Sequence, residues 1–526
     1  MNTNIFNPQT TNHQGGKAYE LSPKQALAQL VCTGTFNQTF YVTGGEQIGE
    51  VIDLAHKIDN AFLAKLALYA RQHALMKDTP VVLLAILCVK ADGQPFAKAI
   101  FKDIVNNGKQ LRNFVQVMRG GAVGRKSLGN FAKNLVNEWL LTASDRQFIN
   151  ANIGNKPTLR DVIRLSHPKP FDDKSEALIK WALQKDFNYN HLPPLARSLL
   201  DFQKDNQQPL PDLPIEWLMS LDLTTEHWAG LAKQGSWQMV RMNLNTFVRH
   251  GVFGVDGMAQ MLADKLADEQ AVKHARAFPY QLYATWQALG DDVPAVIKNA
   301  LKTAMSHALA NVPRLDGQIA IGVDVSGSMH SPVMGYRRGA TSQVRCIDVA
   351  SLFASAMKVA NPTAMIMPFD TRLHQVIDFN DNISQITGKK PFSVRLKSAF
   401  GKADTAQTPP AVDVLALAER LAKFGGGGTH TALPLAELNR QKAKIDVMIY
   451  FSDNESWADE QSGRGTQMMK EWRILKKRCP NAKLICVDLQ PYTSSQAKNG
   501  NDVLNVGGFG DNVFKVIEAF CCYATR

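Results

Sequence analysis

The hydrophobic pattern of the chain changes near Pro313, and that change constrains the fold more than any other feature. From about residue 22 to residue 310 apolar side chains recur at three- and four-residue steps, as over 52–58, 61–74 and 127–141, which is the period of amphipathic helices. Pro and Gly cut the pattern into short helices, as around Pro193-Pro194 and over 209–214. Beyond Pro313, short β-branched or apolar runs over 318–325, 364–369, 447–452 and 483–489 alternate with helical stretches over 344–360, 412–424 and 465–478. Such alternation implies a mostly parallel sheet wrapped on both faces. A chain of 526 residues exceeds one ordinary core, so we expect a flexible tail over 1–16, a helical domain over 17–316 and an α/β domain over 317–526. Residues 380–410 have weak periodicity and read as an insertion or long loop. The helical half suggests stacked, HEAT-like helix pairs, although no clean repeat period is found.

Chemistry gathers at the expected strand ends. Asp324, Ser326 and Ser328 form an Asp-x-Ser-x-Ser turn after the first run, Gly425 to Gly428 lead into Thr429, and the 447–452 run ends on Asp453. Ligands in open α/β sheets sit at the carboxyl ends of strands, so these three segments should meet at one edge. Three hydroxyls and two carboxylates make an oxygen shell suited to a hard divalent cation such as Mg²⁺. The bland alternative is a polar turn cluster.

The formal net charge is +12, and the segment from Lys98 to Pro170 holds 13 basic against 4 acidic residues, so most of the excess lies there. That concentration is the footprint of a polyanion site. Within it, Thr158 and Asp161 have capping-box spacing and Pro168 ends the helix they would start. Leu159, Val162, Ile163 and Ser166 should be its buried stripe. Arg160, Arg164 and His167 share another face, flanked by Lys156 and Lys169. Guanidinium and imidazole groups in a row suit phosphate forks and base stacking. Taken alone, the stripe also reads as a solvated basic face.

The strand-end set resembles the metal-ion-dependent adhesion site of von Willebrand A domains, over residues 318 to the C-terminus. The stretch from Asp161 to Pro170 resembles a segment of TROVE-domain proteins. Gly124-Arg125, Asn137-Glu138-Trp139, Val240-Arg241-Met242-Asn243-Leu244, Ala275-Arg276-Ala277-Phe278-Pro279-Tyr280 and Asp453-Asn454-Glu455-Ser456-Trp457-Ala458 follow the same family in order. The whole series is similar to the Ro (TROVE) family, and to its bacterial members in particular. The resemblance implies an α-helical HEAT-like repeat ring followed by an α/β, Rossmann-like von Willebrand A domain. It implies Ser326, Ser328 and Thr429 as hydroxyl ligands of Mg²⁺ or another divalent cation, with Asp324 and Asp453 binding directly or through water. It implies a Y-like small noncoding RNA on a basic outer surface and single-stranded ends of misfolded RNA in a central hole. Lys156, Arg160, Arg164, His167 and Lys169 are the outer-surface residues it selects, with Arg125 and Lys126 as weaker ones. Arg241 and Arg276 could face RNA or staple helix ends. The family often carries an acid after the glycine-turn Thr, where this chain has His430.

Function classes narrow accordingly. No apolar run is long enough to span a bilayer, and the start lacks the layout of a secretory signal. Seven cysteines without a CxxC pair fit reduced thiols in a cytoplasmic protein, and Cys521-Cys522 read as part of an apolar C-terminal helix. We therefore expect a monomeric, non-enzymatic RNA-binding ribonucleoprotein core, a scaffold for RNA processing or quality control, with an exoribonuclease as a further partner. The runner-up is a metal-dependent protein-adhesion module with no RNA role. A metal-dependent nuclease or phosphatase ranks third, because a catalytic set beside the metal is not found.

Overall fold

The computed structural model describes residues 10–34, 36–154, 156–275, 277, 279–309, 312–336, 344–374, 414–456, 466–510 and 512–522. The chain divides into two compact units. One comprises residues 48–271 and 289–300, and the other comprises 1–47, 272–288 and 301–526. The N-terminal segment and two stretches before Pro313 belong with the α/β unit, because their strands and helices pack there.

The first unit is helical. Its centre is Thr79–Val89, whose residues from Thr79 to Cys88 are all buried. A helix apolar on every side must be enclosed, and Asn60–Gln72, Gln94–Ile104 and Gly108–Arg119 pack around it. Polar caps mark helix starts, with Asp59, Asn107 and Ser144 each accepting a backbone N–H.

The second unit carries a five-stranded parallel sheet in the order β4-β3-β5-β6-β8. The strands are β3 Ile319–Asp324, β4 Met365–Phe369, β5 Val447–Ser452, β6 Lys483–Asp488 and β8 Val503–Gly507. The first four match the expected runs and are buried throughout, as strands covered on both faces must be. Strand β8 has no counterpart in the sequence reading, because its half-exposed pattern and Asn505 obscure it. Helix Cys346–Ala360 is buried from Cys346 to Lys358 and packs on β3, β4 and β5. The chain leaves β3 for β4 on one side and returns to β5 on the other, so the topological switch lies at the carboxyl end of β3.

Residues 10–16 are not a free tail. Strands β1 (Thr10–Thr11) and β2 (Lys17–Glu20) form an antiparallel hairpin, and β2 pairs with β7 (Ser494–Ser495). Asn12 accepts the N–H groups of Gln14 and Gly16, which closes the turn. Residues 1–9 and the insertion expected over 380–410 lie outside the described residues. Helix Asn512–Cys522 includes both C-terminal cysteines, and all seven cysteines are free. Among the described residues no helix is long and apolar enough to cross a membrane.

Candidate metal centre and nucleic-acid interface

The three strand-end segments converge as their order requires. Asp324 closes β3 and is fully buried, and Ser326, Ser328, Thr429 and Asp453 are all at most 5% exposed. The Ser326 N–H donates to Asp324 Oδ1 at 2.9 Å, and Ser452 Oγ donates to Asp324 Oδ2 at 2.6 Å. The Ser326 and Ser328 hydroxyls are 3.4 Å apart. The Gly327 N–H donates to the Gly427 carbonyl at 2.9 Å, which docks the glycine turn on the serine turn. This approach needs a glycine at 425, where φ is +107° and a Cβ would strike the Val325 carbonyl. Ser456 Oγ in turn donates to the Thr429 carbonyl at 3.1 Å.

The electrostatics of this edge are those of crowded, desolvated acids. Burial, then the charge of Asp453, pushes the Asp324 carboxyl up to about 7. Asp453 is also raised, by burial, against the stabilising bond from Ser328. Glu455 is pushed up to about 8 by burial and by Asp453, and Asp488 at the end of β6 is raised well above the usual carboxylate range for the same reasons. Two buried carboxylates side by side are costly unless a cation neutralises them. The donor set is all oxygen, two carboxylates and neighbouring hydroxyls, and so fits a Mg²⁺-class ion. Among the described residues no three His, Cys, Asp or Glu side chains converge as a ready-made metal site, so such a shell depends on hydroxyls. His430 is half-buried, and its N–H donates to the Asp370 carbonyl.

Several neighbours of this edge escaped the sequence reading. Tyr41 shares a hydrogen bond with the Ser328 side chain, and its ring stacks with His13 at 5.9 Å and meets Tyr492 edge-on at 5.8 Å. Asn12 Nδ2 donates to the Ser456 carbonyl, and the His13 N–H donates to Glu455 Oε2. Nothing local in residues 10–41 signals contacts to residues more than 400 positions away. Asp488 was detectable, as a third acid ending an apolar strand.

In the helical unit, Leu159–Ser166 forms as its spacing requires. Thr158 is the N-cap, in a reciprocal capping box with Asp161, and His167 ends the helix in the left-handed region at φ +50°. Leu159, Val162, Ile163 and Ser166 are buried. Lys156, Arg164, His167 and Lys169 are exposed, and Arg160 is half-buried. Asp161 caps the helix, and its carboxyl lies below the usual range, first through bonds from Thr158 and then through Arg164 and Lys156. Lys126 is exposed, whereas the half-buried Arg125 guanidinium packs over Gly129. Part of the basic excess is already engaged: Lys102 pairs with Glu138, Arg146 with Asp212, and Arg112 is buried. Arg241 is buried beside Gln238, which makes it a packing residue and not an exposed contact. Arg276 and Phe278 lie outside the described residues, as do Trp457 and Ala458.

Comparison with known proteins agrees with this architecture. The family model of the Ro60 vWA domain matches residues 318–521. The chain is 23% identical to the RNA-binding protein RO60 of Deinococcus radiodurans, over 97% of this chain and 95% of that protein. It is 22% identical to RNA-binding protein RO60 of Caenorhabditis elegans, over 49% of this chain and 36% of that one. The crystal structure of the Deinococcus radiodurans RO (RSR) protein shares the fold, with a TM-score of 0.63 at 18% identity, covering 95% of this chain and 99% of that one. Residues 318–521 thus match the Ro60 vWA domain, and nearly the whole chain is similar in sequence and fold to a bacterial RO60 protein.

Proposed function

We propose that this protein binds RNA as the core of a ribonucleoprotein, taking a Y-like small noncoding RNA on the face of the Leu159–Ser166 helix and single-stranded ends of misfolded RNA elsewhere on the helical unit. The observation that carries this reading is that Arg164 on the Leu159–Ser166 helix, its C-cap His167 and the flanking Lys156 and Lys169 are all exposed, while the apolar stripe of the helix is buried. Four cationic or hydrogen-bonding groups on and beside one short helix match a phosphate backbone. The names of the two RO60 relatives support the same ligand class. We read the protein as a monomeric cytoplasmic scaffold that acts by binding and not by turnover, handing RNA to an exoribonuclease.

On this reading the second unit holds a Mg²⁺-class ion through Asp324, Asp453, Ser326, Ser328 and Thr429. Bound there, the ion would neutralise the buried carboxylates and offer an oxygen-seeking position to an acidic ligand. Ser452 and the Ser326 N–H orient Asp324 toward it, and Tyr41 hydrogen-bonds the Ser328 side chain.

Crosslinking in the native cell, followed by sequencing of RNA recovered with the protein, tests the function. Enrichment of one or a few small structured RNAs, with crosslinks in the 156–169 segment, supports it. Recovery of no RNA above a mock purification overturns it.

A further inference from the structure

We propose that Phe171 is a stacking platform for an unpaired nucleobase, set at the C-terminal end of the Leu159–Ser166 helix. The inference rests on the RNA-binding reading and adds the form of RNA that this end of the face accepts.

Phe171 is 70% exposed, the highest value among the large apolar side chains described as exposed. Its position usually gives such a residue a task. It precedes Asp172, the N-cap of helix Asp173–Leu183, and an apolar residue there commonly packs against the fourth helical residue. Here that residue is Glu176, whose carboxylate pairs with Lys180 at 2.7 Å. The usual staple is therefore not made.

The backbone beneath the ring is fixed. The Phe171 N–H donates to Ser175 Oγ at 3.2 Å, and Pro168 and Pro170 fix φ on either side of Lys169. Asn137 Nδ2 holds the Ser166 carbonyl at 3.0 Å, and the His167 N–H bonds the Ile163 carbonyl at 2.9 Å. A ring on a held loop gives up only side-chain freedom when a base stacks on it.

The surroundings favour a polyanion. Arg164, His167 and Lys169 are exposed. Of the nearby acids, Asp161 and Asp172 cap helices and Asp145 pairs with Lys174 at 3.0 Å, while Asp173 stays exposed with His191 3.7 Å away. A π face beside free cations takes a base and its flanking phosphates together. Bases inside an A-form duplex are already stacked, so the ligand must be a loop, bulge or single-stranded end.

The test uses the full chain and an RNA hairpin with a single-stranded tail carrying 2-aminopurine, beside the same hairpin with a blunt end. Wild type should quench the probe and prefer the tailed RNA. Phe171→Ala should lose the quenching and about 5- to 150-fold in affinity for the tailed RNA, the equivalent of roughly 1–3 kcal/mol per stacked base. Blunt-hairpin binding and the salt slope should not move, and Phe171→Trp should restore both signals where Phe171→Leu does not. If Phe171→Ala keeps quenching and affinity while Arg160→Ala with Arg164→Ala weakens binding, the platform is wrong and the RNA reading stands. If all variants bind as wild type, the RNA reading fails and the platform with it. Binding of an acidic peptide that depends on Phe171, with RNA binding unaffected by the substitution, also overturns the platform.

Discussion

Ser452 Oγ donates to Asp324 Oδ2 at 2.6 Å, and this bond ties the end of β5 to the end of β3 at the point where the strand order reverses. The other oxygen of the same carboxylate accepts the Ser326 N–H. Asp324 is thus held by two donors before any ligand arrives. Groups that orient a metal ligand commonly account for 10- to 100-fold in affinity. Ser452→Ala should therefore weaken Mg²⁺ binding by about 10-fold or more, as measured by titration calorimetry, with the fold kept by circular dichroism. Equal affinities for the variant and wild type would mean that the serine orients nothing.

The carboxylates make a sharper distinction between the units. Asp324→Ala or Asp453→Ala removes a formal charge from the shell and should lower divalent binding by about an order of magnitude or more. RNA affinity should not change, because the basic helix belongs to the other unit. A folded variant that lost RNA binding would contradict this division.

Stability against pH follows from the same burial. Asp324 is raised from 3.8 to about 7 in the folded protein. Between those values the unfolded chain has released the proton and the folded chain still holds it. The contribution of Asp324 is therefore complete at low pH and is lost as pH rises through about 7. Other carboxylates slope the opposite way, so the readout is the difference between wild type and Asp324→Asn in a chelator. That difference should fall with rising pH, by at most about 1.4 kcal/mol per unit, and added Mg²⁺ should shrink it. A flat difference between pH 4 and 7 would show that the carboxyl is not raised.

One side chain makes several of the bonds that hold the N-terminal hairpin. Asn12 donates to the Ser456 carbonyl at 2.7 Å and accepts the Gln14 and Gly16 N–H groups, at 6% exposure. Asn12→Ala should cost about 1–3 kcal/mol in denaturant unfolding, because it leaves the buried Ser456 carbonyl without that donor. Asn12→Asp should not rescue it, since a carboxylate cannot donate to a carbonyl. Wild-type stability in Asn12→Ala would mean that the hairpin is not part of the folding unit.

The hairpin also shows where the sequence ceases to be legible. Helices with polar caps and strands with continuous apolar runs announced themselves, because 3.6- and two-residue periods and caps are local. Leu159–Ser166 and β5 appear where their patterns place them. The convergence of Asp324, Ser326, Ser328, Thr429 and Asp453 was legible through strand ends, since a parallel sheet delivers those ends to one edge. The polar composition of residues 10–16 was read as a tail, yet those side chains are spent on a turn and on a segment 444 residues away. Tyr41 was missed as a neighbour of Ser328 for the same reason.

The basic helix separates charge from conformation. If Arg160 and Arg164 neutralise phosphates, Arg160→Ala with Arg164→Ala should weaken binding of a small structured RNA at low salt and flatten the log–log salt slope by about 2. A control pair, Lys298→Ala with Lys302→Ala, should do neither, since Lys298 reaches the Asp291 carbonyl and Lys302 lies over the Trp286 ring. His167 adds a second test. It sits at φ +50°, where an L side chain is strained and glycine is at ease. His167→Gly should therefore leave stability equal or higher by up to about 1 kcal/mol, while removing the imidazole from the face. On this reading the imidazole serves as a stacking or hydrogen-bonding partner and not as a phosphate counter-charge. RNA affinity should drop in His167→Gly with the salt slope nearly unchanged. Equal salt slopes for the two double variants, or full RNA affinity in a stable His167→Gly, would mean that this helix only faces solvent.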